Sequence, residues 1–152
     1  MSTTALRPLH VLYVEDNPDD VLLVRQACAE RQVNAEIHVV ENAVQAFSFM
    51  ARQGEYAAKP KPSVVILDLN LPIINGVKTL NIIKSAPEWR GIPVVILTSS
   101  QRPEERNLCM RMGVVSYQIK PKVWDDWLEL ASALKRVLDE GFCQELPKVS
   151  SV

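Results

Sequence analysis

With 152 residues, 47% of them hydrophobic and 23% charged, the chain is long enough for one domain with a buried core and too apolar to be disordered. Its 17 basic and 18 acidic residues leave a formal net charge of −1, so no basic field points to nucleic acid or an anionic membrane surface. Three scattered cysteines, Cys28, Cys109 and Cys143, form no CxxC pair and no Cys/His cluster, so neither a disulfide framework nor a zinc site is expected of them. In chain order, Val11 to Val14 reads as a first strand ending at Glu15-Asp16. Asn17-Pro18-Asp19-Asp20 then reads as a helix start: Asn17 caps, Pro18 suits the first helical position, and the acids favour the positive end. Val21, Leu22, Val24, Ala27 and Cys28 follow at helical spacing. Ile37 to Val40 is a second strand. A second helix is predicted from Asn42 to Gln53, with Val44, Phe47 and Met50 as its inner face, before a surface loop from Gly54 to Pro62.

Val64 to Leu67 is apolar throughout and reads as a strand buried on both faces. The segment Leu69 to Gly76 (LNLPIING) is a loop punctuated by Pro72 and Gly76. Val77, Leu80, Ile83 and Lys84 predict a third helix stopped near Pro87. Val94 to Leu97 is the fourth strand, closed by Thr98-Ser99-Ser100. Pro103 to Met112 is the fourth helix, Ser116 to Ile119 the fifth strand ended by Lys120-Pro121, and Trp124 to Glu140 the last helix. Residues 141–152, with Pro147, read as an irregular tail. Five strand–helix alternations without an internal repeat predict an α/β fold: a doubly wound, five-stranded parallel sheet with five helices. One domain is expected over residues 1–152, its core about 9–140. The absence of an apolar leader at Met1 to His10 and of any long apolar run gives a cytoplasmic expectation with no membrane partner.

Ligands of such folds sit outside the carboxyl ends of the strands. Those ends carry Glu15 and Asp16, Asp68, Thr98 and Lys120. Clustered carboxylates repel unless a cation neutralises them, and oxygen-only donors without His or Cys point to Mg²⁺ rather than zinc. Asp68, central in the sheet, is placed to act as a nucleophile forming an aspartyl-phosphate, with Lys120 and the Thr98 hydroxyl holding phosphoryl oxygens. Each residue also has a plainer reading. Glu15 and Asp16 can cap the next helix, Asp68 can cap a loop, Lys120 can be solvated and Thr98 can be a turn hydroxyl. Only their joint arrival at one sheet edge favours the chemical reading. Asp19 and Asp20 fit dipole stabilisation better than metal ligation.

The pieces VEDN (Val14 to Asn17), LDLNLPIING (Leu67 to Gly76), VVILTSS (Val94 to Ser100) and YQIKP (Tyr117 to Pro121) closely resemble the CheY-like receiver domains of two-component response regulators. The resemblance runs from about residue 9 to 140, and the separations between Asp68, Thr98 and Lys120 match the family. It implies a flavodoxin-like fold and phosphorylation of Asp68 by a sensor histidine kinase. It also implies Mg²⁺ (or Mn²⁺) held by Glu15, Asp16, Asp68 and the Asn70 backbone carbonyl. Thr98 and Tyr117 match the family's switch pair, in which the aromatic ring turns inward, and the Lys120-Pro121 bond is expected to be cis. EDNPDD, the LDLNLP loop and the short chain are further similar to the response regulators that partner bacterial phytochromes. The family reading makes the chain a phosphoacceptor that catalyses its own phosphorylation and dephosphorylation rather than an enzyme acting on other substrates.

Two rivals remain at this point. A haloacid-dehalogenase-type phosphohydrolase needs an acid two residues beyond its nucleophile, where this chain has Asn70. A pseudo-receiver that is never phosphorylated fits poorly with an intact Asp68, Thr98 and Lys120. With no DNA-binding segment expected, output falls to a protein contact or to onward phosphoryl transfer. A homodimer through the fourth helix, fifth strand and fifth helix is the expected form of contact, with Trp124, Trp127 and Leu128 as candidate exposed residues.

Overall fold

The computed structural model describes residues 8–139; the anticipated tail at 141–152, with Cys143, lies outside them. Five parallel strands, β1 (Leu9–Val14), β2 (Ala35–Val40), β3 (Val64–Leu67), β4 (Val94–Thr98) and β5 (Ser116–Ile119), form one sheet in the order β2-β1-β3-β4-β5. Five α-helices alternate with them: α1 (Pro18–Glu30), α2 (Ala43–Met50), α3 (Gly76–Ser85), α4 (Pro103–Arg111) and α5 (Trp124–Asp139). A single 3₁₀ turn, Gly54–Tyr56, interrupts the expected loop after α2.

Period-two alternation divides the strands between two cores. Leu12, Val14, Val65, Leu67, Val94 and Ile96 face one side and pack with Phe49 of α2, Leu80 and Ile83 of α3 and Cys109 of α4. Val11, Tyr13, Val64, Ile66, Val95 and Leu97 face the other, against Val24 and Ala27 of α1 and Ala131 and Leu134 of α5. Helices on both sides explain why β3 is apolar throughout and β4 is apolar up to Thr98: neither face meets water. Asparagines start three of the helices. Asn17 accepts from the Asp19 amide, Asn42 from Gln45 and Asn75 from Lys78, all at 2.9 Å.

Packing corrects several expectations. The inner face of α2 is Ala43, Ala46, Phe49 and Met50, whereas Val44 is exposed. The large Phe49 turns to the sheet and rotates the helix away from the predicted stripe. Leu22 of α1 is likewise exposed. Trp127 (4% exposed) and Leu128 belong to the core under α5, since they continue the inward stripe with Ala131, Leu134 and Leu138. Of the three residues expected on the surface only Trp124, 39% exposed, is there. No peptide bond among the described residues is cis, so Lys120-Pro121 is trans. The lysine side chain spans the distance to the acids from this backbone, with Lys120 N–H anchored to the Thr98 carbonyl at 2.8 Å.

Candidate functional site at the carboxyl edge of the sheet

The strand order reverses between β1 and β3, and the loops there diverge to opposite faces, leaving a crevice. Ladder hydrogen bonds continue past the strand ends and fix the residues that rim it. Glu15 N–H donates to the Val40 carbonyl at 2.9 Å, and Asp68 N–H to the Val14 carbonyl at 3.2 Å. Glu15, Asp68 and Thr98 are all buried, although each is polar. Asp16 is exposed beside them. One carboxylate oxygen from each of Glu15, Asp16 and Asp68 falls within 4.8 Å of the others.

Lys120 crosses from the end of β5 and gathers the acids. Its Nζ lies 2.9 Å from Glu15 Oε1, 3.0 Å from Asp68 Oδ2 and 2.7 Å from Asp20 Oδ2. Burial disfavours the ammonium, but its hydrogen bonds to Asp20, Glu15 and Asp68 outweigh that and hold its pKa above the ordinary lysine value. For Glu15 the balance falls the other way. Burial, reinforced by the charge of Asp68 and opposed by Lys120, pushes its carboxyl up to about 7. Tyr13 O–H donates to Glu15 Oε1 at 3.3 Å and the Asn17 amide donates to Oε2 at 3.2 Å, so both oxygens have partners. The site therefore stores more negative charge than one ammonium neutralises, in a setting that makes a further cation favourable.

The Leu69–Gly76 loop closes one side. Asn70 N–H donates to Asp68 Oδ1 at 3.1 Å, and its side-chain amide reaches Ser99 Oγ at 3.3 Å, tying the loop after β3 to the loop after β4. The loop returns so closely that a Cβ on Gly76 would lie 2.3 Å from both the Asp68 carbonyl oxygen and Leu69 Cα. Gly76 is therefore a packing requirement directly behind Asp68, not only a turn signal. Ile73, at φ 72° and 76% exposed, sits at the loop apex, where Ile74 N–H donates to the Pro72 carbonyl at 2.8 Å. A β-branched residue in this region is strained.

The hydroxyl of Thr98 accepts from the Ser100 amide at 3.2 Å. The ring of Tyr117 is buried and its O–H donates to the Ser100 carbonyl at 3.3 Å, so the aromatic side chain occupies the inward position. Ser100 also hydrogen-bonds through Oγ to Glu105 of α4. One serine thus links the β4–α4 loop to Tyr117 and to α4.

All seven residues singled out in the sequence, Glu15, Asp16, Asp68, Asn70, Thr98, Tyr117 and Lys120, lie along this edge. Sequence reasoning missed the part played by Asp20. Instead of only facing the helix dipole, it makes the shortest of the three ion pairs with Lys120. Its place in the first turn after the strand-end acids was the available signal. Ser100 was also passed over, because nothing in a run of Thr-Ser-Ser distinguishes its members. Cys28 and Cys109 are buried free thiols whose pKa values burial raises to about 11, which suits packing and not reactivity.

Comparison with known proteins bears on the family and the fold. The sequence profile of the response regulator receiver domain matches residues 11–135. Response regulator Rcp1 of Synechocystis sp. is 30% identical over 135 residues, covering 89% of this chain and 92% of that protein. Among solved structures, the Mn²⁺-bound form of Rcp1 superposes with a TM-score of 0.79 at 28% identity, over 95% of this chain and 99% of that one. The phosphorylated cyanobacterial phytochrome response regulator RcpA also gives 0.79, at 29% identity, over 86% of this chain and 93% of that one. The bacteriophytochrome response regulator RtBRR gives 0.72 at 31% identity, over 95% and 81%.

Proposed function

Because the chain belongs to the response regulator receiver family, we propose that Asp68 is its phosphorylation site and that a phytochrome-type sensor histidine kinase is the donor. Phosphorylation on an aspartate with a metal is typical of that family, and a histidine kinase partner is implied by it. The observation that carries the assignment is the contact of Lys120 Nζ with Asp68 Oδ2 at 3.0 Å, inside a cluster of further carboxylates. The phytochrome link rests on the names of the similar proteins, Rcp1 and RcpA included, and on the EDNPDD and LDLNLP segments.

Receiver domains bind a divalent metal, and the acids here fit one. We assign Mg²⁺ to Glu15, Asp16, Asp68 and the Asn70 backbone carbonyl, because oxygen donors and a high local negative charge suit a hard cation. When bound, the cation supplies the positive charge that phosphoryl transfer requires. In the transfer itself a carboxylate oxygen of Asp68 attacks phosphorus as the bond to the donor histidine nitrogen breaks. Lys120 offers its ammonium to the phosphoryl oxygens, and Thr98 turns its hydroxyl from the Ser100 amide toward them. The same residues place the acyl phosphate for hydrolysis, so the chain is a phosphoacceptor that turns over its own modification. Asn70, where a dehalogenase-type hydrolase has its acid, cannot protonate a leaving group.

When the Thr98 hydroxyl turns away it releases the Ser100 amide, and so loosens the serine that holds Tyr117 and α4. The face beyond carries exposed Leu108 and Met110 of α4, Ile119 of β5, and Val123 and Trp124 at the start of α5. We assign to it the phosphorylation-dependent contact, a homodimer without direct DNA binding. No helix among the described residues is long and apolar enough to cross a membrane. From the kinase-coupled role we infer a cytoplasmic location.

Incubation with Mg²⁺ and acetyl phosphate tests the reading by intact mass together with sedimentation. A single phosphoryl adduct is expected on the unaltered chain and none on Asp68→Asn. An adduct of equal yield on Asp68→Asn ends the assignment. A chain that is labelled yet stays monomeric ends the dimer part alone.

A further inference from the structure

Toward the amino ends of the strands, away from the acid pocket, the sheet carries a second group of ligand-type side chains. Register pairs His10 of β1 with Glu36 of β2, and Leu12 with His38, so His10, Glu36 and His38 share the face that Leu12 and Val14 occupy. His10 Nδ1 lies 3.1 Å from His38 Nε2. Glu36 turns one oxygen to each ring, Oε1 at 3.7 Å from His10 Nδ1 and Oε2 at 3.8 Å from His38 Nε2. One donor atom from each residue falls within 4.8 Å of the other two.

We propose that His10, Glu36 and His38 form a binding site for a transition-metal dication, with Zn²⁺ as the best match. Tetrahedral zinc with bonds of about 2.0–2.1 Å holds its ligand atoms about 3.4 Å apart. The two imidazole nitrogens are 3.1 Å apart, close to that spacing, and Glu36 brings a different oxygen to each ring, at 3.7 and 3.8 Å, so a turn of its carboxylate is needed to seat one oxygen on the ion. Two imidazoles and one carboxylate favour Zn²⁺, Cu²⁺ or Ni²⁺ over Mg²⁺, the reverse of the all-oxygen pocket. His38 is aimed by its packing: its ring centroid lies 5.3 Å from that of His10 and 5.2 Å from that of Phe49. Side-chain exposures of 31% for His10 and 58% for Glu36 leave the outer side open for ion entry and for a water as fourth ligand.

Along β1 the site is separated from Glu15 by three to five residues, roughly 10–16 Å at strand rise, so the two sites are tested independently. The untagged full chain is titrated with Zn²⁺ in the presence of a large excess of Mg²⁺, read by calorimetry and by the imidazole nitrogen resonances. One equivalent is expected to bind and to shift both histidines. His10→Ala changes a partly buried side chain and Glu36→Gln an exposed one, and the histidine variant should weaken binding at least about tenfold, since even outer-sphere partners of metal ligands matter that much. Asp16→Asn should leave this titration unchanged. Failure of Zn²⁺ to bind, or binding untouched by His10→Ala and removed by Asp16→Asn, overturns the proposal and leaves a hydrogen-bonded histidine pair. Neither outcome bears on phosphorylation of Asp68.

Discussion

Replacing Lys120 by Met removes the one ammonium that the structure places among Glu15, Asp20 and Asp68 while keeping most of the side-chain volume. The ion pairs are 2.7–3.0 Å long, and the side chains of Lys120, Glu15, Asp20 and Asp68 are 13%, 1%, 16% and 3% exposed, so solvent screens them little. Removing one partner of such a buried pair costs about 3–5 kcal/mol, because the other charges stay buried without compensation. At roughly 2–4 °C per kcal/mol for a domain of this size, the melting temperature should fall by about 6–20 °C. The measurement is thermal unfolding in EDTA at pH 8 and at pH 9, above the pKa of about 7 that Glu15 has beside Lys120; loss of the ammonium raises that value further, so the deficit should be larger at pH 9. Repetition in saturating Mg²⁺ should recover most of the loss, since binding to the folded state stabilises it by mass action and no ammonium then competes for the carboxylates. Equal stability of Lys120→Met and the unaltered chain in EDTA would refute the electrostatic account. So would a variant that gains no more from Mg²⁺ than the unaltered chain does.

Three further outcomes follow from the same geometry. Gly76→Ala drives a Cβ into the Asp68 and Leu69 backbone, so a loss of about 1–3 kcal/mol in urea unfolding and slower phosphoryl labelling are expected. Ile73→Asn relieves a side chain held at φ 72° and should raise stability by about 1 kcal/mol, read as a higher urea midpoint at unchanged slope. Glu15 has a folded pKa raised from 4.5 to about 7, so the folded state binds the extra proton between those values. Stability of the metal-free chain from this group is therefore complete below pH 4.5 and falls as pH rises toward 7. Glu15→Gln should flatten that part of the profile, and Mg²⁺ should flatten it in the unaltered chain, both followed by thermal melts across pH.

The alternation of short apolar runs with capped helical segments determined the α/β architecture, because strands buried on both faces must be apolar throughout and parallel strands need helical crossovers. It also determined the strand-end residues, since a chain that ends β3 in Leu67 and β4 in Leu97-Thr98 has its first polar side chains at the carboxyl edge. Tertiary structure decided what depends on rotation and on distance between remote segments. Helical spacing gave Val44, Phe47 and Met50 as the inner face of α2, and the sheet instead took Phe49 beside Met50 and left Val44 outside. Trp127 and Leu128 went inward with the stripe of α5, leaving Trp124 outside. Asp20 became a partner of Lys120 only when α1 and the end of β5 were brought together. His10 and His38 are 28 positions apart and carry no joint signal in the sequence; parallel register alone sets their nitrogens 3.1 Å from each other.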